Sequence, residues 1–362
     1  MKILHVCEYT KGGISTYLNE VLDFQRSIKH VDKVSVILSN YEPNIKKYEN
    51  VNYYFYNYKR KPKYFLGAIR QIQKAIQKEQ PDIVHIHSTF AGFFTRLPLF
   101  LKIKRPKIIY CSHGWSFTMN ISAWKRNVYG IIEKTLAKKT DLIINISKSE
   151  LKDSLSYKLP LDKSVVIYNG INHKSHTSLY SELSELQLDY SKINLLFIGR
   201  FDEQKGVDIL TNFFARNDFE NIKLYLIGES VLNRSPLKMS NNVVPIGWVD
   251  NELIDSYYKK FDAVIVPSRW EGFGLVAIEA MRNKKALIVS NRGALPEIVK
   301  DGFNGYTFDI DSEEELKGIL SNLSKEQLTS MGEKGYKIFS EKFNSKNMNE
   351  QIIKKYDSLV RS

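Results

Sequence analysis

The chain has 362 residues, more than one hydrophobic core usually supports, so two domains of ordinary size are expected. Its 43% hydrophobic and 26% charged composition excludes a disordered chain, and a pair of cysteines, Cys7 and Cys111, excludes a disulfide-stapled secreted scaffold and points to a reducing cytosol. The net charge of +13 belongs to the first half: residues 1–175 hold 29 Lys or Arg against 13 Asp or Glu, leaving 24 against 27 from totals of 53 and 40.

The apolar start, residues 3–7, is too short for a signal peptide and runs into Glu8. Near-continuous apolar runs at 2–7, 33–38, 51–56, 82–87, 107–111, 141–146 and 164–168 read as strands of a parallel sheet covered on both faces. Amphipathic helices separate them; in 63–79, Phe65, Ile69, Ile72 and Ile76 follow one helical face. The alternation is that of a doubly wound α/β domain. Gly12 and Gly13 follow the first strand and precede a helix, where backbone can approach a phosphate or an acceptor closely.

Lys59, Arg60, Lys61 and Lys63, with Tyr56, Tyr58, Tyr64 and Phe65 around them, and the KIKRPK run at 102–107 suit an anionic surface such as a membrane; the plain alternative is a lysine-rich solvated face. Nucleic acid is not expected, because no recognised binding motif accompanies the charge. His85 and His87 share one face of a strand, but no third and fourth ligand is apparent, so a metal site is not expected and His87, near the strand end, lines the acceptor side. Residues 93–103 are interrupted by Arg96 and Pro98 and reach about half the ~20 residues that span a bilayer. His113 follows the fifth strand and precedes Gly114, from where its ring can enter a cleft.

After a polar pause at 172–185 the pattern restarts at 193–199, 222–228, 262–268 and 286–290, giving a second α/β domain. In 198–210 (IGRFDEQKGVDIL), Arg200 and Lys205 stand at the carboxyl end of a strand, where open α/β sheets bind ligands and where two cations suit a leaving pyrophosphate. In 267–281 (PSRWEGFGLVAIEAM) a buried-type strand turns into a helix. Gly272 and Gly274 admit a ligand closely, and the amides of Phe273, Gly274, Leu275 and Val276 fall at the helix amino terminus, a place for a diphosphate. Glu271 and Glu279 offer carboxylates to ribose and sugar hydroxyls. Asp309 and Asp311 form a DxD pattern, but they run into an acidic helix and are expected to cap it. The tail from about Lys325 is helical and charged.

These segments resemble the family 4 glycosyltransferases, retaining enzymes of the two-domain GT-B fold. The seven residues between Glu271 and Glu279 match the family's EX7E signature, and the likeness extends to residues 12–20, 112–115, 166–172, 293–299 and 302–305. It implies that Glu279 holds the ribose hydroxyls, Glu271 contacts the donor hexose, Arg200 and Lys205 bind the diphosphate, and His113 touches the sugar across a cleft. Gly12 and Gly13 belong to the family's amino-terminal glycine loop. The expected layout is an acceptor domain at 1–172, a donor domain at 173–344, and a last helix at 345–362 packing back on the first. The implied reaction is transfer of a hexose or N-acetylhexosamine from a UDP-sugar, with GDP-mannose behind it, to a saccharide or lipid-linked acceptor in surface polysaccharide, lipopolysaccharide or capsule synthesis. It needs no metal or cofactor and takes place in the cytoplasm or on the inner membrane face. The alternatives are a nucleotide-sugar epimerase or hydrolase of the same fold, and a non-catalytic nucleotide-sugar sensor.

Overall fold

The computed structural model describes residues 1–10, 12–41, 43–173, 186–230 and 239–361. Most of the polar pause at 172–185 lies outside them. The chain divides into two compact units, Met1–Ile171 with Ser345–Ser362, and Asn172–Asn344.

The first unit holds a parallel sheet of β1 (Lys2–Cys7), β2 (Lys33–Ser39), β3 (Val51–Tyr56), β4 (Ile83–His87), β5 (Lys107–Cys111), β6 (Leu142–Asn145) and β7 (Ser164–Val166), in the order β3-β2-β1-β4-β5-β6-β7. Leu4, Val6, Val84, Ile86, Ile108 and Tyr110 pack one face. Alternation sends His5, Cys7, His85 and His87 to the other, where Val34, Val36 and Leu38 meet Leu18 and Leu22 of the helix Gly13–Gln25. The last helix, Ser345–Arg361, packs against Gly13–Gln25. Its buried Met348, Ile352 and Tyr356 recur every four residues, which gives it one apolar stripe to bury.

The second unit repeats the plan with β8 (Ile193–Ile198), β9 (Ile222–Ile227), β10 (Val243–Gly247), β11 (Ala263–Val266), β12 (Ala286–Ser290) and β13 (Gly305–Phe308), ordered β10-β9-β8-β11-β12-β13. β10 and β13 add to the expected strands. Both lie at sheet edges, where Pro245 in β10 is tolerated and a four-residue β13 needs only one partner. In each sheet the strand order reverses once, between β1 and β4 and between β8 and β11.

Candidate active site

Because β8 and β11 are neighbours at the reversal, the loops at their carboxyl ends run side by side, at the place where such sheets bind ligands. Several contacts join them. The Arg269 amide donates to the Gln204 carbonyl at 2.8 Å, the Gln204 side-chain amide donates to the Trp270 carbonyl at 3.2 Å, and the Arg269 guanidinium grips both oxygens of Asp208 at 2.8 and 2.6 Å. Across this seam Lys205 Nζ lies 2.6 Å from Glu271 Oε2, which also accepts from the Ser268 hydroxyl at 3.2 Å. The Lys205 and Glu271 side chains are only 20% and 11% exposed, so water screens their attraction weakly. Arg200 is half exposed and bonds within its own loop, to Asp202 and Gln204, each at 3.0 Å. Of the two expected cations, Lys205 thus meets Glu271 directly and Arg200 does not.

Gly274 precedes the helix Leu275–Arg282 at φ 97°, and a side chain there would come within 2.9 Å of Leu295 Cδ2. Only glycine satisfies both conditions. This helix has no side-chain cap and no acidic residue in its first turn, so its leading amides, Leu275 and Val276 included, present the positive end of the helix dipole to an anion. The Phe273 ring is core, packed 5.8 Å from that of Phe343. Glu279, one turn further, accepts from the Tyr258 hydroxyl at 3.1 Å, and burial raises its pKa against the opposing pull of Arg282. Gly293 lies so close to the Glu271 carbonyl that no Cβ would fit, and the Ala294 amide donates to that carbonyl at 3.3 Å. Asp309 and Asp311 both face Arg292, at 3.6 and 2.5 Å, and the cap of the following helix is Ser312, whose hydroxyl accepts from the Glu315 amide. Helix capping is therefore not the work of the aspartates.

In the first unit Gly12 stands at the head of the helix Gly13–Gln25, which has neither a side-chain cap nor an acid in its first turn. His113 follows β5 at φ 54°, in a loop that a buried carboxylate fixes. Glu150 Oε1 accepts from the Ser112 hydroxyl at 2.6 Å and the Gly114 amide at 2.7 Å, while Oε2 accepts from the Ile146 amide at 2.6 Å. Burial nonetheless raises its pKa.

Behind His113 runs a chain of imidazoles. His113 Nε2 lies 3.0 Å from His87 Nδ1, His87 Nε2 lies 3.0 Å from His5 Nδ1, and His5 Nε2 lies 2.8 Å from Gln25 Oε1. Burial keeps these rings neutral, lowering His5 to about 4, His113 to about 3, and His85 and His87 well below the usual range. With the Gln25 oxygen accepting, each ring donates through Nε2 and accepts through Nδ1, which leaves His113 Nδ1 unprotonated, 3.7 Å from Cys111 Sγ. His87 has no exposed surface, so it does not line an acceptor face. The ring nitrogens of His5, His85 and His87 fall within 4.8 Å of one another. The third imidazole, invisible in the sequence pattern, comes from β1, whose His5 stands opposite His85. Hydrogen bonds already engage both nitrogens of His5 and His87, so a cation there would have to displace them.

Residues 182–338 match the family described as glycosyl transferases group 1, and residues 11–175 match glycosyltransferase family 4. A protein of the cps region of Klebsiella pneumoniae, itself uncharacterized, is 31% identical over 99% of this chain and 100% of its own length. The Escherichia coli UDP-Gal:alpha-D-GlcNAc-diphosphoundecaprenol alpha-1,3-galactosyltransferase is 25% identical over 68% of each chain. Among solved structures, Anabaena Alr3699/HepE in complex with UDP-glucose superposes with a TM-score of 0.80 at 19% identity, over 99% of this chain and 100% of that one. That likeness shows the two-domain GT-B fold.

Proposed function

This chain belongs to the family 4 glycosyltransferases, and we propose that it is a retaining enzyme that moves a hexose or N-acetylhexosamine from a UDP-sugar to a saccharide or lipid-linked acceptor in surface polysaccharide synthesis. The observation that carries the donor site is the Lys205–Glu271 pair at 2.6 Å beside the uncapped helix Leu275–Arg282. In this reading the helix amides, Lys205 and Arg200 hold the diphosphate, Glu271 takes hexose hydroxyls, and Glu279, oriented by Tyr258, takes the ribose hydroxyls. On the first unit, the glycine loop at Gly12 and Gly13 and the ring of His113 are sugar-binding groups in this reading. The bond between the anomeric carbon and the diphosphate oxygen breaks, the acceptor oxygen joins that carbon on the same face, and the acceptor's proton passes to the departing phosphate oxygen. Lys205 and Arg200 stabilise the charge that develops there, without a metal. Glu271, already paired with Lys205, serves as an acceptor of hydroxyl hydrogen bonds and not as a nucleophile.

The lipid-linked acceptor, and work at the cytoplasmic membrane face, are supported by the acceptor named for the Escherichia coli relative and by the basic first half of this chain. The test is incubation with labelled UDP-sugars, with and without a lipid extract from capsule-forming bacteria. Label should pass to lipid with its anomeric configuration kept, and the donor alone should hydrolyse slowly. Fast hydrolysis or epimerisation without acceptor would overturn the reading.

A further inference from the structure

No helix among the described residues is long and apolar enough to cross a membrane. At the surface expected from sequence, Lys59 to Lys63, the four aromatic side chains that would support insertion belong to the core. Tyr56 and Tyr58 are buried, Tyr64 and Phe65 pack on the same core, and Arg60 is paired with Glu8 at 2.7 Å.

A different face carries both components. Residues 97–140 contain nine Lys or Arg and a single acid, Glu133, which is buried against Arg96 at 2.7 Å. The same stretch supplies eight of the eighteen large hydrophobic side chains exposed among the described residues. On the helix Ala123–Ala137, Trp124 (65% exposed), Val128 (44%) and Ile131 (65%) stand at i, i+4 and i+7, one stripe opposite the buried Gly130, Glu133 and Ala137. Beside it the turn Leu97–Leu101 and the residues that follow leave Leu101 92% and Ile103 fully exposed. The Arg96–Glu133 pair clamps the two elements together, and Lys139 Nζ lies 5.4 Å from the Phe100 ring at their far end. Lys125 and Lys134 are exposed on the helix, Lys138 is exposed just after it, and Lys104 is exposed just after the turn.

We propose that the outer face of the helix Ala123–Ala137, with the turn at 97–104, is a docking surface for an anionic lipid bilayer, its Trp124, Val128 and Ile131 entering the headgroup region and its lysines meeting lipid phosphates. Large apolar side chains ringed by cations, with no exposed acid, are what an interfacial helix needs. The inference rests on the reading that the enzyme works at a membrane, and gives that reading a place.

The test is flotation of the full chain with phosphatidylglycerol-containing vesicles and with purely phosphatidylcholine vesicles, at low and high salt, with UDP-sugar thermal shifts run in parallel. Wild type should bind the anionic vesicles and be released by salt, because the attraction is screened over ~8 Å at physiological ionic strength. Trp124→Ser/Ile131→Ser should weaken binding about tenfold or more. Lys104→Ser/Lys134→Ser should weaken it on the order of fivefold per cation. Lys59→Ser/Lys61→Ser/Lys63→Ser should bind nearly as wild type, and Trp124→Phe, which keeps an apolar ring, should retain binding with unchanged folding. Full binding by the Trp124→Ser/Ile131→Ser variant, losses confined to the Lys59 cluster, or a dimer in solution that the Trp124 substitution dissociates would each overturn the proposal. Vesicle binding as described without any UDP-sugar shift would overturn the enzymatic reading and leave the surface standing.

Discussion

Lys205→Ala separates a phosphate-binding cation from a merely structural ion pair. In the folded chain the ammonium pairs with Glu271 at 2.6 Å, and that carboxylate keeps the Ser268 hydroxyl at 3.2 Å when the lysine is gone. The pair is mostly but not fully shielded, so its loss should cost about 1 kcal/mol of stability, toward the upper end for partly exposed pairs. For a unit of this size that lowers the melting temperature by ~2–4 °C. The functional loss should be larger. A charge-assisted contact to phosphate is worth ~1.5–3 kcal/mol, which converts to a ~10- to 150-fold weaker dissociation constant for UDP. Calorimetry with UDP and with uridine isolates it, because uridine has no phosphate for Lys205 to touch. The variant should lose UDP affinity by that factor and bind uridine as wild type does, and turnover at saturating donor should fall by ~100- to 1,000-fold. Unchanged UDP affinity, or equal losses for UDP and uridine, would refute the assignment.

Glu279→Ala should mainly weaken donor binding and Glu271→Ala mainly lower turnover, because the ribose is remote from bond breaking and the hexose is not; initial rates over a range of donor concentration distinguish them, and equal effects on both constants in both variants would contradict the division. Glu150→Ala removes the acceptor of three hydrogen bonds that shape the loop carrying His113, and should cost about 3 kcal/mol or more in urea denaturation; a loss below about 1 kcal/mol would mean that the loop holds itself. Stability should also fall with acid. His5 and His113 have folded pKa values of about 4 and about 3, below the ordinary 6.5, so the unfolded chain binds more protons on the acid side and the stability present above 6.5 is lost as pH drops toward 4. The slope should be on the order of 1 kcal/mol per pH unit for each buried imidazole, and a denaturation midpoint that stays flat between pH 7.5 and 5 would contradict it.

The doubly wound plan was legible because parallel strands buried on both faces leave near-continuous apolar runs, as in 33–38 and 286–290, whereas β10 and β13, lying at edges with Pro245 or only four residues, leave none. Lys205, Glu271 and the glycine-led helix at 275 were legible because each sits in a local strand-loop-helix pattern. What escaped depends on contacts between distant segments. Glu150 reads as an ordinary first-turn acid of the helix Lys148–Ser156 until β5 and β6 pair and bring the 112–114 loop onto it. His5 is indistinguishable from its apolar strand neighbours until β1 docks on β4. Arg200 illustrates the opposite limit: its place on the loop was legible, but its bonds to Asp202 and Gln204 are set by side-chain geometry.

The central claim, that the second unit holds a nucleotide-diphosphate sugar at the ends of β8 and β11, is tested most directly by thermal denaturation with a panel of nucleotide sugars and their free nucleotides. A ligand at ~100 times its dissociation constant should stabilise by ~2.7 kcal/mol. The account predicts that stabilisation for at least one UDP-sugar and for UDP, and its loss in Lys205→Ala. If no nucleotide or nucleotide sugar shifts the transition of the wild-type chain at millimolar concentration, the claim is wrong.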